Sequence, residues 1–361
     1  MSKAVSIGPD KDSFGCNFLK SFLDHVEYYQ SVQEILHNHQ RVGFEFSDNP
    51  TMVIYDFFEL DQPHNHQFTD TTILVIESLR QVIKLKSDNR LDLTKKYIIL
   101  SESWWDVNQY EFDFEYTMIY VSWDIIDSQN RLTNKSDLYY HLMDLSMLNS
   151  YNPKYDFLCL IGRGKEWRDT FVKKLQTIDL SNTLTSYYGK CLGNQDLLDL
   201  DIEYSRTNSV EEFEQKFYKN VQIGSCNHSY NLSYFTKMDL FKKTNFSLIV
   251  ETEAELEEYH VTEKTLKCLI LGHPFIVMGT PKFLKFLHKM GFKTYSSMFD
   301  ESYDNIMDLE SRMDAVINLV KEVRHYDFNT NELEKIQNHN ITALAKLRNT
   351  DTYTTFLNVI T

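Results

Sequence analysis

One stretch constrains this chain more than any other: Phe246 to Gly279, reading FSLIVETEAELEEYHVTEKTLKCLILGHPFIVMG. Phe246 to Val250 is short, apolar and β-branched, and predicts a buried strand. An acidic loop follows, Glu251 to Glu258. A helical pattern begins at Thr262, with Leu266, Leu269 and Ile270 on its inner face, and Gly272 and Pro274 end it. Phe275 to Met278 predicts a second buried strand, closed by Gly279. Strand, loop, helix and strand make one βαβ unit of a parallel sheet. Such sheets bind ligands beside the strand C-termini and the helix N-terminus.

The helix start carries the chemistry. Thr262 reads as its N-cap, with Glu263 and Lys264 in the first turn. Free N–H groups and the positive end of the helix dipole attract an anion such as a diphosphate. A lysine at this end disfavours the helix, and a bound phosphate would explain it. Glu263 could accept from ribose hydroxyls. Ordinary capping by Thr262 and Glu263, with Lys264 as a solvated side chain, explains the same residues.

The chain has 361 residues, enough for two domains with their own cores. A net charge of −15 argues against a nonspecific nucleic-acid binder, while leaving room for a local basic cleft. Five scattered cysteines without CxxC spacing fit a reducing compartment better than a disulfide scaffold or a zinc knuckle. The first residues, MSKAVSIGPDKDSFG, have no apolar signal core, and no apolar run reaches membrane-spanning length. The expectation is a cytoplasmic protein without a membrane partner.

Strands are predicted at Val5 to Ile7, Met52 to Tyr55, Tyr97 to Leu100 and Thr117 to Val121. Helices are predicted at Phe18 to Tyr29 and Ile73 to Leu85, and a polar loop at Asp61 to Thr69. A boundary falls near Leu148 to Tyr155, broken by Pro153. Beyond it the pattern restarts: a strand at Phe157 to Ile161, a tight loop Gly162-Arg163-Gly164, and a helix from Trp167 to Leu175. After the βαβ unit, Thr280-Pro281 opens a helix with proline at its first position and Gly291 past its end. Phe292 to Tyr295 reads as a strand. Met313, Val316, Ile317 and Val320 form a helical stripe. The fold class expected is α/β: two Rossmann-like lobes, mainly parallel, with a cleft between them. Residues 1–150 form the first lobe, 151–330 the second, and 331–361 a helical tail packing back on the first.

Tyr259-His260-Val261-Thr262-Glu263-Lys264, followed by a helix, an apolar strand and Gly279, resembles the donor-binding motif of the α1,3-fucosyltransferases. Arg168-Asp169-Thr170-Phe171, with Leu175 beyond, is similar to that family's RxxFxxxL helix. Leu100-Ser101-Glu102-Ser103 resembles the strand end that holds its catalytic glutamate. Phe114 to Tyr120 resembles its next, aromatic strand. The likeness spans roughly residues 95 to 310, and the VTEK part is its specific element. Two positions depart from the family. His260 stands where an aromatic directly precedes VTEK, and Glu251-Thr252-Glu253 replaces a Glu-Asn-Ser/Thr element.

The resemblance implies a GT-B fold and an inverting glycosyltransferase that uses a nucleotide sugar, GDP-linked and fucose-like, to glycosylate a hydroxyl acceptor on a glycan. It implies Glu102 as general base. Arg168 and Lys264 would hold the diphosphate, and Glu263 the ribose. Glu251, His260 and Thr262 complete the donor-binding set. With so many positive groups the leaving diphosphate would need no metal and no cofactor. One alternative is a glycosyltransferase modifying hydroxylated DNA bases, with DNA as acceptor. Another is a non-catalytic nucleotide- or carbohydrate-binding protein of the same fold.

Other residues read as structural. Glu102 is also one of many acids in an acidic chain, and Arg168 also reads as a helix-surface residue. Gly162-Arg163-Gly164-Lys165 resembles a phosphate loop but lacks the full glycine pattern, so a tight turn is preferred. Asp199-Leu200-Asp201 spells DxD, yet surface acids are the preferred reading. His37, His39, His64 and His66 lie among Asn and Gln and read as solvated rather than metal-binding. Trp104, Trp105 and Trp123 could stack on a sugar or base, or pack a core.

Overall fold

A computed structural model of the chain describes residues 4–8, 43–46, 52–55, 71–76, 79–101, 103–105, 112–120, 146–162, 164–187, 190–194 and 238–347. The expected helix at 18–29, the loop at 61–69, Asp199, Asp201, the histidines at 37, 39, 64 and 66, Trp123, Arg163 and the catalytic candidate Glu102 lie outside these residues. The chain divides into two compact units. Unit 1 comprises Met1–Trp123, Glu258–His260 and Leu347–Thr361, and unit 2 comprises Asp124–Glu257 and Val261–Lys346. The division at 123/124 and the expected boundary near 150 differ by a segment mostly outside the described residues.

In chain order the first elements are β1 (Ala4–Gly8), β2 (Gly43–Phe46), β3 (Met52–Tyr55), β4 (Thr71–Ile76), α1 (Leu79–Ser87), β5 (Lys96–Ser101), β6 (Trp104–Trp105) and β7 (Tyr116–Tyr120). Then come β8 (Tyr155–Ile161), α2 (Glu166–Leu175), β9 (Leu184–Tyr187), β10 (Lys190–Cys191), α3 (Met238–Lys243), β11 (Thr244–Val250) and β12 (Glu258–Tyr259). The last are α4 (Glu263–Leu271), β13 (Phe275–Met278), α5 (Phe283–Lys289), α6 (Leu309–Val323) and α7 (Thr330–Lys346).

Unit 1 holds a six-stranded sheet in the order β2-β1-β3-β4-β5-β7, parallel throughout. Leu79, Val82 and Leu85 of α1 pack with Leu74, Ile76, Tyr97 and Ile99. Trp105 and Phe114 close that core. The helix expected over Ile73 to Leu85 is corrected to two elements. Thr71–Ile76 is strand and only Leu79–Ser87 is helix. The β-branched run TTILVI pairs with both β3 and β5, and that pairing outweighs the helical spacing of its apolar residues.

Unit 2 holds a five-stranded sheet in the order β10-β9-β8-β11-β13, parallel except for β10. All seven residues of β11 and all four of β13 are buried. These strands read as continuous apolar runs because a parallel sheet is covered on both faces. The central strand β8 comes first in the chain. Its successor β9 lies on one side of it, and β11 on the other. This is a topological switch point, where loops diverge from adjacent strand ends and leave a crevice. The chain is therefore mixed α/β with mainly parallel sheets.

Gly272 ends α4 in the left-handed region at φ 67°. A Cβ there would come within 2.7 Å of Cβ of Gln337 on α7, so glycine is required on two counts. Gln337 also donates to the Ile270 carbonyl at 3.0 Å. The segment expected as a tail thus begins as a helix packed inside unit 2, and residues from 348 onward lie outside the described set.

Two local expectations are corrected here. Phe292 to Tyr295 is irregular rather than strand. Side chains satisfy its backbone: Asn340 Oδ1 accepts from Lys293 N, and Glu301 Oε1 from Tyr295 N. Pro281 does not open α5, which starts at Phe283. Its first amides, Leu284 and Lys285, donate to the Asp304 carboxylate, while the Thr280 hydroxyl turns to the Leu256 carbonyl.

Candidate functional site

The site is best built outward from Glu251, the first residue beyond β11 at the switch point of unit 2. Its amide donates to the Met278 carbonyl at 2.9 Å, continuing the ladder toward β13. The residue is buried, and its carboxylate meets the start of helix α4. Oε2 accepts from the Thr262 hydroxyl at 2.8 Å and the Thr252 amide at 3.2 Å, and Oε1 accepts from the Thr265 hydroxyl at 2.5 Å. Thr262 is the N-cap of α4, and its hydroxyl accepts from the Lys264 amide. One carboxylate thus ties a strand end to two positions on one face of a helix start.

Two cations converge on the same residues. Arg168, in the first turn of α2, is buried, and its Nη2 donates to the Glu251 carbonyl. Its ring neighbour Trp167 lies under the guanidinium at 5.3 Å. Burial pulls the Arg168 pKa below its ordinary value, against the charges of Glu251, Tyr187, Glu253 and Glu263, and the guanidinium stays protonated. Lys264 extends its ammonium to Glu263 Oε1 at 3.2 Å and to the Thr262 hydroxyl at 3.2 Å. Its side chain is 28% exposed. Desolvation works against its charge, but Glu263 and Glu251 outweigh it and hold the pKa above the ordinary value. Arg168 is near enough to oppose Lys264 electrostatically.

A third cation lies at the end of β8. Lys165 precedes α2, and its ammonium reaches from that loop to the Thr252 carbonyl, in the loop after β11, at 2.7 Å. Against these stand three carboxylates. Glu253 spends its charge on its own loop, accepting from the amides of Ala254 at 2.9 Å and Glu255 at 2.7 Å. Glu251 is saturated by threonines. Glu263 forms an ion pair with Lys264 at 3.2 Å. Such a group can hold an anionic ligand only through the cations and the amides of the helix start, with acids limiting how much charge it accepts.

The loop between β11 and β12 is braced from below by Arg312 of α6, almost fully buried. Its Nε donates to the Gly279 carbonyl at 3.1 Å. Nη1 donates to the carbonyls of Ile306 and Met307 at 2.5 and 3.0 Å, and Nη2 to that of Ala254 at 2.5 Å.

Of the expected donor-binding residues, Arg168, Glu251, Thr262, Glu263 and Lys264 come together in unit 2. His260 does not join them within that unit, since it is grouped with unit 1. Ser101, the last residue of β5, and Ser103 just beyond it flank Glu102; both are buried, and the Ser103 amide donates to the Ser101 hydroxyl at 3.2 Å. Trp105 is core and Trp104 stacks obliquely on Tyr259 at 5.7 Å.

Sequence reasoning missed Thr265, Arg312 and Glu258, and preferred a tight turn for the Gly162-Arg163-Gly164-Lys165 stretch that carries Lys165. Glu258, read as part of an acidic loop, is a buried residue of β12 paired with β6, and its Oε2 caps α1 by accepting from Leu79 N at 2.7 Å. A signal existed for Arg312, which falls on the apolar register of α6 four residues before Val316. Thr265 lies one turn after the cap, on its face. Glu258 gave none, because its partner is distant in sequence.

Among the described residues, no group of three or more His, Cys, Asp or Glu side chains is placed to hold a metal ion, and no helix is long and apolar enough to cross a membrane. Compared with family models, curated proteins and solved structures, the chain matches none of them.

Proposed function

We propose that this chain is an inverting glycosyltransferase of the GT-B type. It takes a sugar from a nucleoside diphosphate donor, GDP-linked and fucose-like, to a hydroxyl group on a glycan. The reading rests on the α1,3-fucosyltransferase-like motifs together with one observation. Arg168 meets Glu251, 83 residues later in the chain, together with Thr262, Glu263 and Lys264, beside the switch point of a parallel sheet. Mononucleotide ligands bind at that position in open α/β sheets.

The chemistry asks little of the protein. The acceptor oxygen attacks the anomeric carbon, the bond from that carbon to the diphosphate oxygen breaks, and the acceptor proton passes to a carboxylate base. Negative charge grows on the departing diphosphate. Lys264, about a quarter exposed, can share its ammonium between Glu263 and a phosphate oxygen. Arg168 is held rigidly by the Glu251 carbonyl and contributes chiefly field. The helix start adds its dipole. In this reading Glu263 contacts the ribose, and Glu102 is the base by resemblance alone.

The test is a thermal-shift screen of nucleoside diphosphates and nucleotide sugars, followed by a transfer assay on the best donor. GDP and a GDP-sugar should raise the midpoint, and Glu102→Gln should keep that rise while losing turnover. No rise with any nucleotide would remove the reading. A rise without turnover on any glycan or DNA acceptor would favour a non-catalytic binding protein.

A further inference from the structure

We propose that Asp169, its carboxylate held by the Tyr187 hydroxyl, reads the base of the donor nucleotide and selects guanine. The inference rests on the nucleoside diphosphate reading above. It adds a base contact, which neither the motifs nor the resemblance assigns to a residue.

Asp169 lies in the first turn of α2 and is exposed. The hydroxyl of Tyr187 donates to its Oδ1. Tyr187 is the last residue of β9, half-buried, and pairs with Ile161 at the carboxyl end of β8. A strand end thus fixes a carboxylate that an exposed helix turn alone would leave free to rotate. The hydroxyl occupies one of about four lone-pair sites on that carboxylate, so the group can accept further bonds.

The pair stands farther along the same sheet edge as the diphosphate cluster. β9, β8 and β11 are neighbours, so the end of β9 lies about 10 Å, two strand spacings, from that of β11. Arg168 is central to this row, since Tyr187, Glu251 and Glu263 all act on its charge. A nucleoside diphosphate carries its base across the ribose from its phosphates. Phosphates at the start of α4 and a base beside Tyr187 therefore suit one extended ligand. The edge between is open: Gly162, directly after β8, is exposed, and among the described residues a Cβ built on it meets no heavy atom within 4 Å. The Tyr187 ring offers a flat apolar flank there.

A carboxylate only accepts hydrogen bonds. Guanine presents two adjacent donors, N1–H and the 2-amino group, which match the two carboxylate oxygens. Adenine sets a ring acceptor beside its amino donor, and uracil sets one donor between two acceptors. Either base turns a lone pair toward the carboxylate, so Asp169 rejects both as well as favouring guanine.

The test is calorimetric titration of GDP, ADP, UDP and xanthosine diphosphate into the intact chain and its Asp169→Asn variant. Wild type should prefer GDP over the other three by about tenfold or more. Xanthine has a carbonyl where guanine has the 2-amino group. An asparagine amide can accept from N1–H and donate to that carbonyl. D169N should therefore weaken GDP, strengthen xanthosine diphosphate and shift the ratio of the two affinities about tenfold. That ratio compares two ligands on one folded protein, so lost stability cannot imitate it. Tyr187→Phe, which releases the carboxylate without removing it, should weaken GDP with no gain for xanthosine diphosphate. A wild-type preference for ADP or UDP, or an unchanged ratio in D169N, would overturn the base contact while the diphosphate reading stands. Failure of every nucleotide to bind the wild-type protein would remove both.

Discussion

The hydroxyl of Thr262 donates to the buried carboxylate of Glu251 at 2.8 Å. That bond joins the end of β11 to the first turn of α4, eleven residues later in the chain. The Thr265 hydroxyl and the Thr252 amide bind the same carboxylate, so the strand end and the helix start behave as one piece. Rigidity of this kind holds donors in place before a ligand arrives. It also accounts for the VTEK sequence without a ligand, as far as Thr262 is concerned.

Glu251→Gln keeps the shape and removes the charge. Its amide group must then face hydroxyls that had donated to a carboxylate. The loss should be roughly 1–3 kcal/mol of stability, from weakened charge-assisted bonds. Chemical denaturation followed at Trp167 reads unit 2. A variant as stable as the wild type would mean that the three bonds are not worth their geometry.

Arg312→Lys tests the brace under the loop. A lysine carries the charge but cannot serve four carbonyls with one compact ammonium. Buried carbonyls left without donors should cost roughly 2–4 kcal/mol. Hydrogen exchange at residues 252–257 should rise more than at α7. Uniform exchange with wild-type stability would contradict the role.

Acid should weaken unit 2 through His273. The ring is buried, with Nε2 3.0 Å from the Thr244 carbonyl and Nδ1 3.1 Å from the Ser247 hydroxyl. Nε2–H therefore donates, Nδ1 accepts, and the ring is neutral. Burial pushes its pKa down from 6.5 to about 4, against backbone hydrogen bonds with Thr244, Phe241 and Pro274. Above pH 6.5 neither folded nor unfolded histidine binds a proton, and nothing changes. As pH falls from 6.5 to 4 the unfolded chain gains a proton that the folded chain refuses, and stability drops by roughly 3 kcal/mol. His273→Gln should lack this component of the pH profile. Parallel profiles for variant and wild type would place the acid sensitivity elsewhere.

The sheet framework was legible because parallel strands are buried on both faces and appear as short apolar runs between turn residues. β5, β8, β11 and β13 carry that signal plainly. The Thr71 to Leu85 stretch does not, since a β-branched strand and an amphipathic helix abut and their periods merge. Phe292 to Tyr295 looks like a strand by composition, but Asn340 and Glu301 take its backbone amides. The site was legible around Thr262 to Lys264, where capping residues and a misplaced lysine mark a helix start. Glu258 was not, because it is defined by a partner that only the folded chain brings near, the Leu79 amide.

The central claim is that the start of α4 receives a diphosphate, and one titration tests it most directly. GDP binding to wild-type protein and to Lys264→Ala should be compared by calorimetry at matched ionic strength. The account predicts about tenfold weaker binding in the variant, with unchanged folding, because one ammonium leaves the phosphate shell. Equal affinities would contradict it, and would leave Lys264 as the partner of Glu263 and nothing more.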